Sequence, residues 1–277
     1  MLTEEKKKEI QRFAKLIRLE TFKELGNLGF GHIGGAMSIV ELLAVLYGDV
    51  MNIDPNNPKM EGRDWLVVSK GHSGPSVYAT LALKGFFDKE LLMTLNQGGT
   101  DLPSHCDRNH TPGIDMSTGS LGQGISMALG VAMGNAMDKN DNFVYCIVGD
   151  GECQEGQVWE AFMYAGNHPM KNLIVFVDNN KQQLDGYTDD INSLGDMREK
   201  IEDFGWFAQE VDGHDIEQIY EAIMRAQESE KSSAIVLHTI KGKGCNFAEG
   251  VELNHHMKFK KEQMDEAIEI LLKEGDE

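Results

Sequence analysis

Two polar residues, Asp150 and Asn180, stand where a divalent cation could bind. Asp150 lies between Gly149 and Gly151, directly after an apolar run, and Asn180 follows the next apolar run thirty residues later. One carboxylate and one amide oxygen, completed by a backbone carbonyl and two phosphate oxygens, suit a cation such as Mg²⁺ or Ca²⁺. The glycines let the backbone approach a phosphate closely. Each segment alone is more simply a turn, but the pair, with a helix and a strand between them, predicts a metal–diphosphate site.

Three histidines, His32, His72 and His105, lie in segments that contain Gly, Ser or Pro. Imidazole has an unperturbed pKa near neutrality, so these residues can give and take protons at physiological pH. Loops between regular elements are also where catalytic side chains are commonly exposed. A single loop histidine is more often an ordinary surface residue, and the residue types alone leave that alternative open.

Several segments predict the elements that must position these residues. Short apolar runs typical of buried strands lie at 65–69, 143–148, 173–177 and 234–239. Helices are predicted at 4–25, 38–48, 73–84, 122–137, 156–167 and 261–273. Continuous apolar strands separated by helices indicate an α/β fold, with a doubly wound, mostly parallel sheet and helices on both faces. Ligands of such sheets bind beyond the carboxyl ends of the strands, where both Asp150 and Asn180 fall.

Two helix boundaries carry recognisable signals. Gly26 followed by Asn27 predicts the end of the first helix, whose apolar residues recur at helical spacing. Ser38 predicts the start of the second helix, because Glu41 follows three residues later as in a capping box.

The composition argues against several classes of protein. Because 26 Lys and Arg residues face 45 Asp and Glu residues, a net charge of −19 argues against a nucleic-acid surface. No stretch approaches the roughly 18 apolar residues of a membrane span, and the N-terminus is unlike a signal peptide. Four cysteines without CxxC spacing argue against a metal cluster or a disulfide framework. We therefore expect a cytoplasmic protein with a single domain over residues 1–277, whose last part, 255–277, is a C-terminal helical extension.

Five ordered motifs give the sequence a family resemblance. The segment that opens with Gly149-Asp150-Gly151 and closes with Asn179-Asn180 resembles the metal–diphosphate motif of thiamine-diphosphate enzymes. Glu155 before Gly156 is similar to the transketolase form of that motif. The other motifs in transketolase order are Phe30–Gly35, Ser69–His72, Ser104–His105 and Ser117–Gly124. The resemblance covers nearly the whole chain and implies the diphosphate-binding (PP) domain of the thiamine-diphosphate-binding fold.

The resemblance implies a role for each matching residue. Asp150, Asn180 and the main-chain oxygen of Gln182 would bind the cation, Mg²⁺ or Ca²⁺. Gly149, Gly151 and His72 would contact the diphosphate, whereas Gly119 and Leu121 would contact the aminopyrimidine of thiamine diphosphate. Glu155 would couple across an interface to the glutamate that activates the cofactor, and that glutamate belongs to another chain.

The resemblance also assigns the histidines. His72 would lie near the diphosphate and the thiazolium, His105 near the donor hydroxyls, and His32 near the acceptor aldehyde. The family has a fourth active-site histidine in a late loop, where this sequence has His255 and His256. We favour His256, since the family residue stands in a segment similar to His256-Met257.

The chain lacks the length of a full transketolase, whose pyrimidine-binding domain carries the activating glutamate. The resemblance therefore implies the N-terminal subunit of a split transketolase, which transfers a two-carbon ketol unit from a ketose phosphate to an aldose phosphate. Its partner would be a C-terminal subunit, and together they would form a heterotetramer, whereas the chain alone would self-associate. The alternatives are a related transferase acting on an unusual sugar, or a non-catalytic regulatory module that binds a metal diphosphate.

Overall fold

The computed structural model describes residues 2–273. The strands of this part of the chain are β1 (Phe30–Gly31), β2 (Trp65–Val68), β3 (Val144–Gly149), β4 (Leu173–Asn179), β5 (Phe207–Asp212), β6 (Ser233–His238) and β7 (Met257–Lys258). Strands β2 to β6 form one five-stranded sheet in the order β2-β3-β4-β6-β5, and every neighbouring pair in it is parallel. The short strands β1 and β7 pair with each other in an antiparallel manner.

Helices surround this sheet. They are α1 (Glu4–Leu28), α2 (Ile33–Met37), α3 (Val40–Val45), α4 (Gly74–Lys84), α5 (Gln123–Met137), α6 (Gly156–Asn167), α7 (Thr188–Asn192), α8 (Met197–Asp203), α9 (Ile216–Gln227) and α10 (Lys261–Lys273). Within residues 2–273, none of these helices combines the length and the apolar character that a bilayer crossing requires.

The central strands bury side chains on both faces. On β3, Tyr145 and Ile147 pack into a core that also contains residues of α1, α3, α4, α9 and α10. Cys146 and Val148 point to the opposite face, into a second core formed with α5, α6 and α8. Because successive strand residues alternate between faces, a strand covered by helices on both sides reads as one continuous apolar run. The predicted doubly wound α/β fold is confirmed.

The first helix ends later than Gly26, so that prediction is wrong. It continues to Leu28 and ends at Gly29, which has a left-handed φ of 82° and donates its N–H to the Leu25 carbonyl. A β-carbon at Gly26 would lie 2.7 Å from Cγ of Met264 on α10. This glycine therefore permits close packing of two helices and does not terminate one.

The predicted capping box at Ser38 and Glu41 is also wrong. The chain bends between α2 and α3, and Ser38 lies in the break between the two helices. Its hydroxyl donates to Asp178 Oδ2 at 2.7 Å, while Glu41 accepts from Arg18. Partners distant in sequence therefore take both side chains away from the helix backbone.

The last helix begins and ends as predicted, at residues 261–273, and packs on α1 through the buried residues Met264, Ala267 and Leu271. Pairing of β7 with β1 brings the segment just before this helix back to the residues that follow α1. The division of the chain at residue 255 stays a prediction. Residues 274–277 of the predicted extension lie outside the described residues.

Candidate active site

A cavity of about 270 Å³ opens at the carboxyl ends of β3 and β4. Eight of the predicted site residues line it together. They are His72, Leu121, Gly149, Asp150, Gly151, Glu155, Asn180 and Gln182. Lys241, which the sequence analysis does not identify, lines it as well.

Asp150 is buried at the floor of this cavity and receives two backbone hydrogen bonds. Gly151 N donates to Oδ1 at 2.8 Å, and Lys181 N donates to Oδ2 at 2.6 Å. Lys181 presents its N–H from a left-handed backbone conformation, with φ of 65°. Burial, together with the neighbouring charge of Asp178, raises the pKa of Asp150 to about 7. A divalent cation at this position would favour the ionised carboxylate and so oppose both effects.

The Asn180 side chain lies close to Asp150 and has a defined orientation. Its Nδ2 donates to Asp178 Oδ2 at 2.8 Å, and its Oδ1 accepts the Gln182 N–H at 3.1 Å. The side-chain oxygen of Gln182 is buried and accepts no hydrogen bond from the described residues. One carboxylate, one amide oxygen and nearby main-chain oxygens form a donor set that fits Mg²⁺ or Ca²⁺. Among residues 2–273, no three His, Cys, Asp or Glu side chains cluster as a metal site, so phosphate oxygens would have to complete this one.

The walls of the cavity also fit an anionic group. A β-carbon at Gly151 would lie 2.6 Å from Cβ of Gln183, so only glycine lets this loop and the next come so close. Lys241 is buried, and its Nζ lies 3.3 Å from the main-chain oxygen of Gln183. Burial lowers the pKa of Lys241 to about 8, against the opposing effect of Asp150. A bound diphosphate would place negative charge near Lys241 and so favour its protonated form.

Glu152, a residue that the sequence analysis does not identify, joins three of the loops around the cavity. It accepts from Gly122 N at 2.9 Å, from Gly149 N at 3.1 Å and from the Ser69 hydroxyl. Burial raises the pKa of Glu152, and these hydrogen bonds oppose the rise. The position of Leu121, next to Gly122, therefore depends on Glu152.

The predicted histidines come together beside this cavity. The ring centroid of His32 lies 5.6 Å from that of His72, 5.3 Å from His105, 5.2 Å from His255 and 4.8 Å from His256. These five residues come from four separate segments of the chain. We refer to them as the histidine cluster.

Burial keeps most of the histidine cluster uncharged. It lowers the pKa of His32 to about 4 and that of His255 to about 3, and in both cases neighbouring positive charge adds to the effect. Burial also lowers the pKa of His72 and of His105. A neutral imidazole has one nitrogen that donates and one that accepts, so each of these rings can take up a proton.

The two consecutive histidines face different parts of the site. The ring of His255 lies 4.5 Å from that of His72 and lines the cavity. His256 is exposed, and its ring lies 5.8 Å from that of Phe30. Both contact His32, so the choice of His256 as the fourth active-site histidine stays a prediction.

Three of the predicted residues lie at the rim of the site. Gly119 packs against His105, since a β-carbon on it would lie 2.9 Å from that ring. Glu155 is exposed at the start of α6, and Leu121 is exposed to 36%. Leu184, which also lines the cavity, is exposed to 58%. The rim therefore presents apolar side chains and the carboxylate of Glu155 to the outside.

A larger cavity of about 1130 Å³ lies away from this site, where Trp65 begins β2 and Asn142 precedes β3. It is lined mainly by residues 56–63 and 108–115. None of the predicted site residues lines it. Cavity volume alone would therefore favour the end of the sheet opposite to the predicted site residues.

Comparison with known proteins identifies the family of the chain. Residues 9–273 match the family model of the transketolase, thiamine diphosphate binding domain. The chain is 52% identical over 268 residues to the 6-deoxy-6-sulfo-D-fructose transketolase subunit SqwG of Clostridium sp. (strain MSTE9), covering 96% of this chain and 98% of the relative. It is 38% identical to one of the subunits of the apulose-4-phosphate transketolase of Phocaeicola vulgatus, covering 86% of this chain and 85% of the relative.

Solved transketolases share the fold. The transketolase of Campylobacter jejuni superposes with a TM-score of 0.89 at 30% identity, covering 95% of this chain and 43% of that chain. The chain thus spans less than half of that solved protein, whereas it matches the two separate subunits over most of their length. This chain belongs to the transketolase family, as the N-terminal, thiamine-diphosphate-binding subunit of a split transketolase.

Proposed function

We propose that this chain, with a C-terminal partner subunit, transfers a two-carbon ketol unit from a ketose phosphate to an aldose phosphate. One observation carries the proposal. The cavity lined by Asp150, Asn180 and Lys241 is continuous with the histidine cluster through His72 and His255, which line it too. Groups suited to hold a metal diphosphate and groups suited to move protons therefore share one cleft.

Residues of the cavity are assigned to the cofactor and its cation. Asp150, Asn180 and the main-chain oxygen of Gln182 would hold Mg²⁺, or Ca²⁺ in its place. The residues assigned to the diphosphate and the aminopyrimidine are Gly149, Gly151, His72, Gly119 and Leu121. Thiamine diphosphate, when bound, supplies the carbon nucleophile that breaks and forms the carbon–carbon bond. Lys241, which is buried and lines the same cavity, would add a positive charge to the diphosphate site.

The histidine cluster is assigned to the proton transfers. His105 would accept the proton of a donor hydroxyl, and His32 would give a proton to the acceptor oxygen as its carbonyl becomes an alkoxide. Because burial lowers the pKa of both rings, they start neutral at physiological pH. His105 can therefore accept a proton directly, whereas His32 must first take up the proton that it gives, for example the one released by the donor hydroxyl to His105, whose ring lies 5.3 Å away. His256, or His255 in its place, would be the fourth histidine of the site.

Exposed side chains at the rim of the cavity support the proposal of a partner subunit. Leu121 and Leu184 expose apolar surface beside the site, and Glu155 extends from the start of α6. A partner that brings the activating glutamate would cover these side chains and pair its carboxylate with Glu155. We propose a heterotetramer of two such chains and two partners, and self-association of the chain when the partner is absent.

A sulfonated sugar is a second candidate substrate. The relative with 52% identity over 98% of its length is named for 6-deoxy-6-sulfo-D-fructose. The relative with 38% identity is named for apulose 4-phosphate. Ketol transfer from a 6-deoxy-6-sulfo ketose is therefore the first substrate to compare with ketose phosphates.

Substrate profiling of the co-expressed pair tests the proposal. We expect the pair, with thiamine diphosphate and Mg²⁺, to convert either ketose phosphates or the sulfonated ketose in the presence of an aldose phosphate. The chain without its partner should convert neither. Turnover by the isolated chain would contradict the split-site assignment. Cofactor binding without ketol transfer from any ketose tested would instead favour a regulatory module.

A further inference from the structure

A buried ion pair lies beneath the proposed cation site. Lys70 Nζ lies 2.6 Å from Asp178 Oδ2, and the two side chains are exposed by only 2% and 0%. Lys70 also donates to the main-chain oxygen of Gly35 at 2.8 Å. Buried ion pairs are costly to desolvate, and apolar residues of similar volume are often at least as stable in their place. Folding stability alone is therefore a poor explanation for this pair.

The carboxylate of Asp178 accepts from three further side chains. The Ser38 hydroxyl donates to Oδ2 at 2.7 Å, Asn180 Nδ2 donates to the same oxygen at 2.8 Å, and the Thr239 hydroxyl donates to Oδ1. Lys70 Nζ donates to Oδ2 as well, so all four polar side chains around Asp178 are donors. A carboxylate held among donors accepts hydrogen bonds from each of them and donates none.

We propose that Asp178, paired with Lys70, is a positioning residue that determines which end of the Asn180 amide faces the cation. The two ends of an amide have nearly the same shape, but only the NH₂ end can face an acceptor. With Nδ2 directed at Asp178, Oδ1 accepts the Gln182 N–H at 3.1 Å and keeps a second lone pair for a metal ion.

This inference rests on the proposed metal–diphosphate function and adds how the site is prepared. If the Asn180 side chain is oriented before the cation arrives, it needs no reorganisation when the cation binds. Partners behind the direct ligands typically change metal affinity by about 10–100-fold. An effect of that size should be measurable in the Mg²⁺ requirement for cofactor binding.

Asp178→Asn tests the role directly. The substitution keeps the shape but introduces an NH₂ group among side chains that all donate, so the orientation of Asn180 is no longer imposed. We expect the Mg²⁺ concentration for half-maximal thiamine diphosphate binding to rise about 10–100-fold, measured by calorimetry on the chain assembled with its partner. Thr239→Val is the matched control, because it removes a donor to Asp178 but leaves the contact with Asn180. Its Mg²⁺ requirement should stay close to that of the wild type.

Asn180→Asp provides a second test, because ligand strength and positioning predict opposite changes in Mg²⁺ binding. A carboxylate is a stronger Mg²⁺ ligand than an amide, so ligand strength alone predicts equal or tighter binding. Positioning by Asp178 predicts the opposite, because the introduced carboxylate would face Asp178 with no N–H between them. Asn180 is only half-buried, so this variant should fold even where Asp178→Asn does not.

The outcomes separate the inference from the proposed function. A raised Mg²⁺ requirement in both variants, with a normal control, supports the positioning role. A wild-type requirement in Asp178→Asn, or equal or tighter binding in Asn180→Asp, overturns it. If Asp178→Asn does not fold, Asn180→Asp decides alone. Asp150→Asn tests the metal site itself: wild-type binding there means that the proposed site is wrong, whereas its loss beside a normal Asp178→Asn means that only the positioning role is wrong.

Discussion

The two ends of the cleft are built in different ways. At the diphosphate end, Asp150 and Asn180 follow adjacent parallel strands, and backbone N–H groups and Asp178 fix their orientations. At the other end, the histidine cluster is assembled from four separate segments, and its rings contact one another. We infer that the diphosphate end is oriented for binding before any ligand arrives. The histidine end would transfer protons, and burial lowers the pKa of four of its five rings.

Removing a ligand at the diphosphate end should have the largest effect. We expect Asp150→Ala or Asn180→Ala to abolish measurable Mg²⁺-dependent binding of thiamine diphosphate, because each removes one of few protein oxygens. Calorimetry on the assembled pair measures this. Asp185→Ala, at the edge of the same cavity, is the control and should bind normally. Wild-type affinity in either ligand variant would contradict the metal assignment.

Substitutions at the histidine end should affect rate more than binding. We expect His72→Ala and His105→Ala each to lower kcat by about 10²–10⁴-fold, the usual contribution of a general acid or base. The loss of kcat should greatly exceed what any loss of folded protein explains, which thermal denaturation of each variant checks. His238→Ala is the control, since that half-exposed residue pairs with Glu210 on the edge strand β5 and does not belong to the histidine cluster. Unchanged kcat in both variants would show that His72 and His105 have no catalytic role.

The histidine end should also make the chain sensitive to acid. In the folded state the pKa values of His32 and His255 lie near 4 and 3, below the unfolded value of about 6.5. Below about pH 6.5 these two histidines bind protons in the unfolded chain but not in the folded chain. The free energy of unfolding therefore decreases as the pH falls from about 6.5 toward 4.

The matching measurement compares His255→Gln with the wild type by denaturant unfolding at pH 7.5 and pH 5. The variant should be more stable than the wild type at the lower pH, because its unfolded state lacks one imidazole that takes up a proton at pH 5. The same change at the exposed residue His238 should show no such gain. An identical pH dependence in the wild type and His255→Gln would show that this ring is not held neutral by the fold.

The sequence predicts the diphosphate end better than the histidine end for a physical reason. Residues that follow adjacent parallel strands must meet at one sheet edge, so Asp150 and Asn180 can be paired from their spacing alone. Nothing local to His32 indicates that residues 255 and 256 lie beside it, because pairing of β7 with β1 brings them there. Those histidines were predicted through the resemblance alone.

Other features escaped prediction because distant partners determine them. Strand β5 is at the edge of the sheet and includes Gln209 and Glu210, so it lacks a continuous apolar run. The break at Ser38 follows from its hydrogen bond to Asp178, 140 residues away. Lys241 could have been found, because it follows a predicted strand at the same carboxyl edge as Asp150.

The left-handed backbone of Lys181 has a consequence for heat tolerance. A residue with a β-carbon adopts that conformation at a cost of roughly 1–2 kcal/mol, which glycine avoids. We expect Lys181→Gly to raise the melting temperature of the cofactor-free chain by a few degrees at most, since glycine also gains freedom in the unfolded state. Its N–H would still donate to Asp150, so cofactor affinity should remain. The loop around the cation would then be a place where thermal tolerance can change without altering the chemistry.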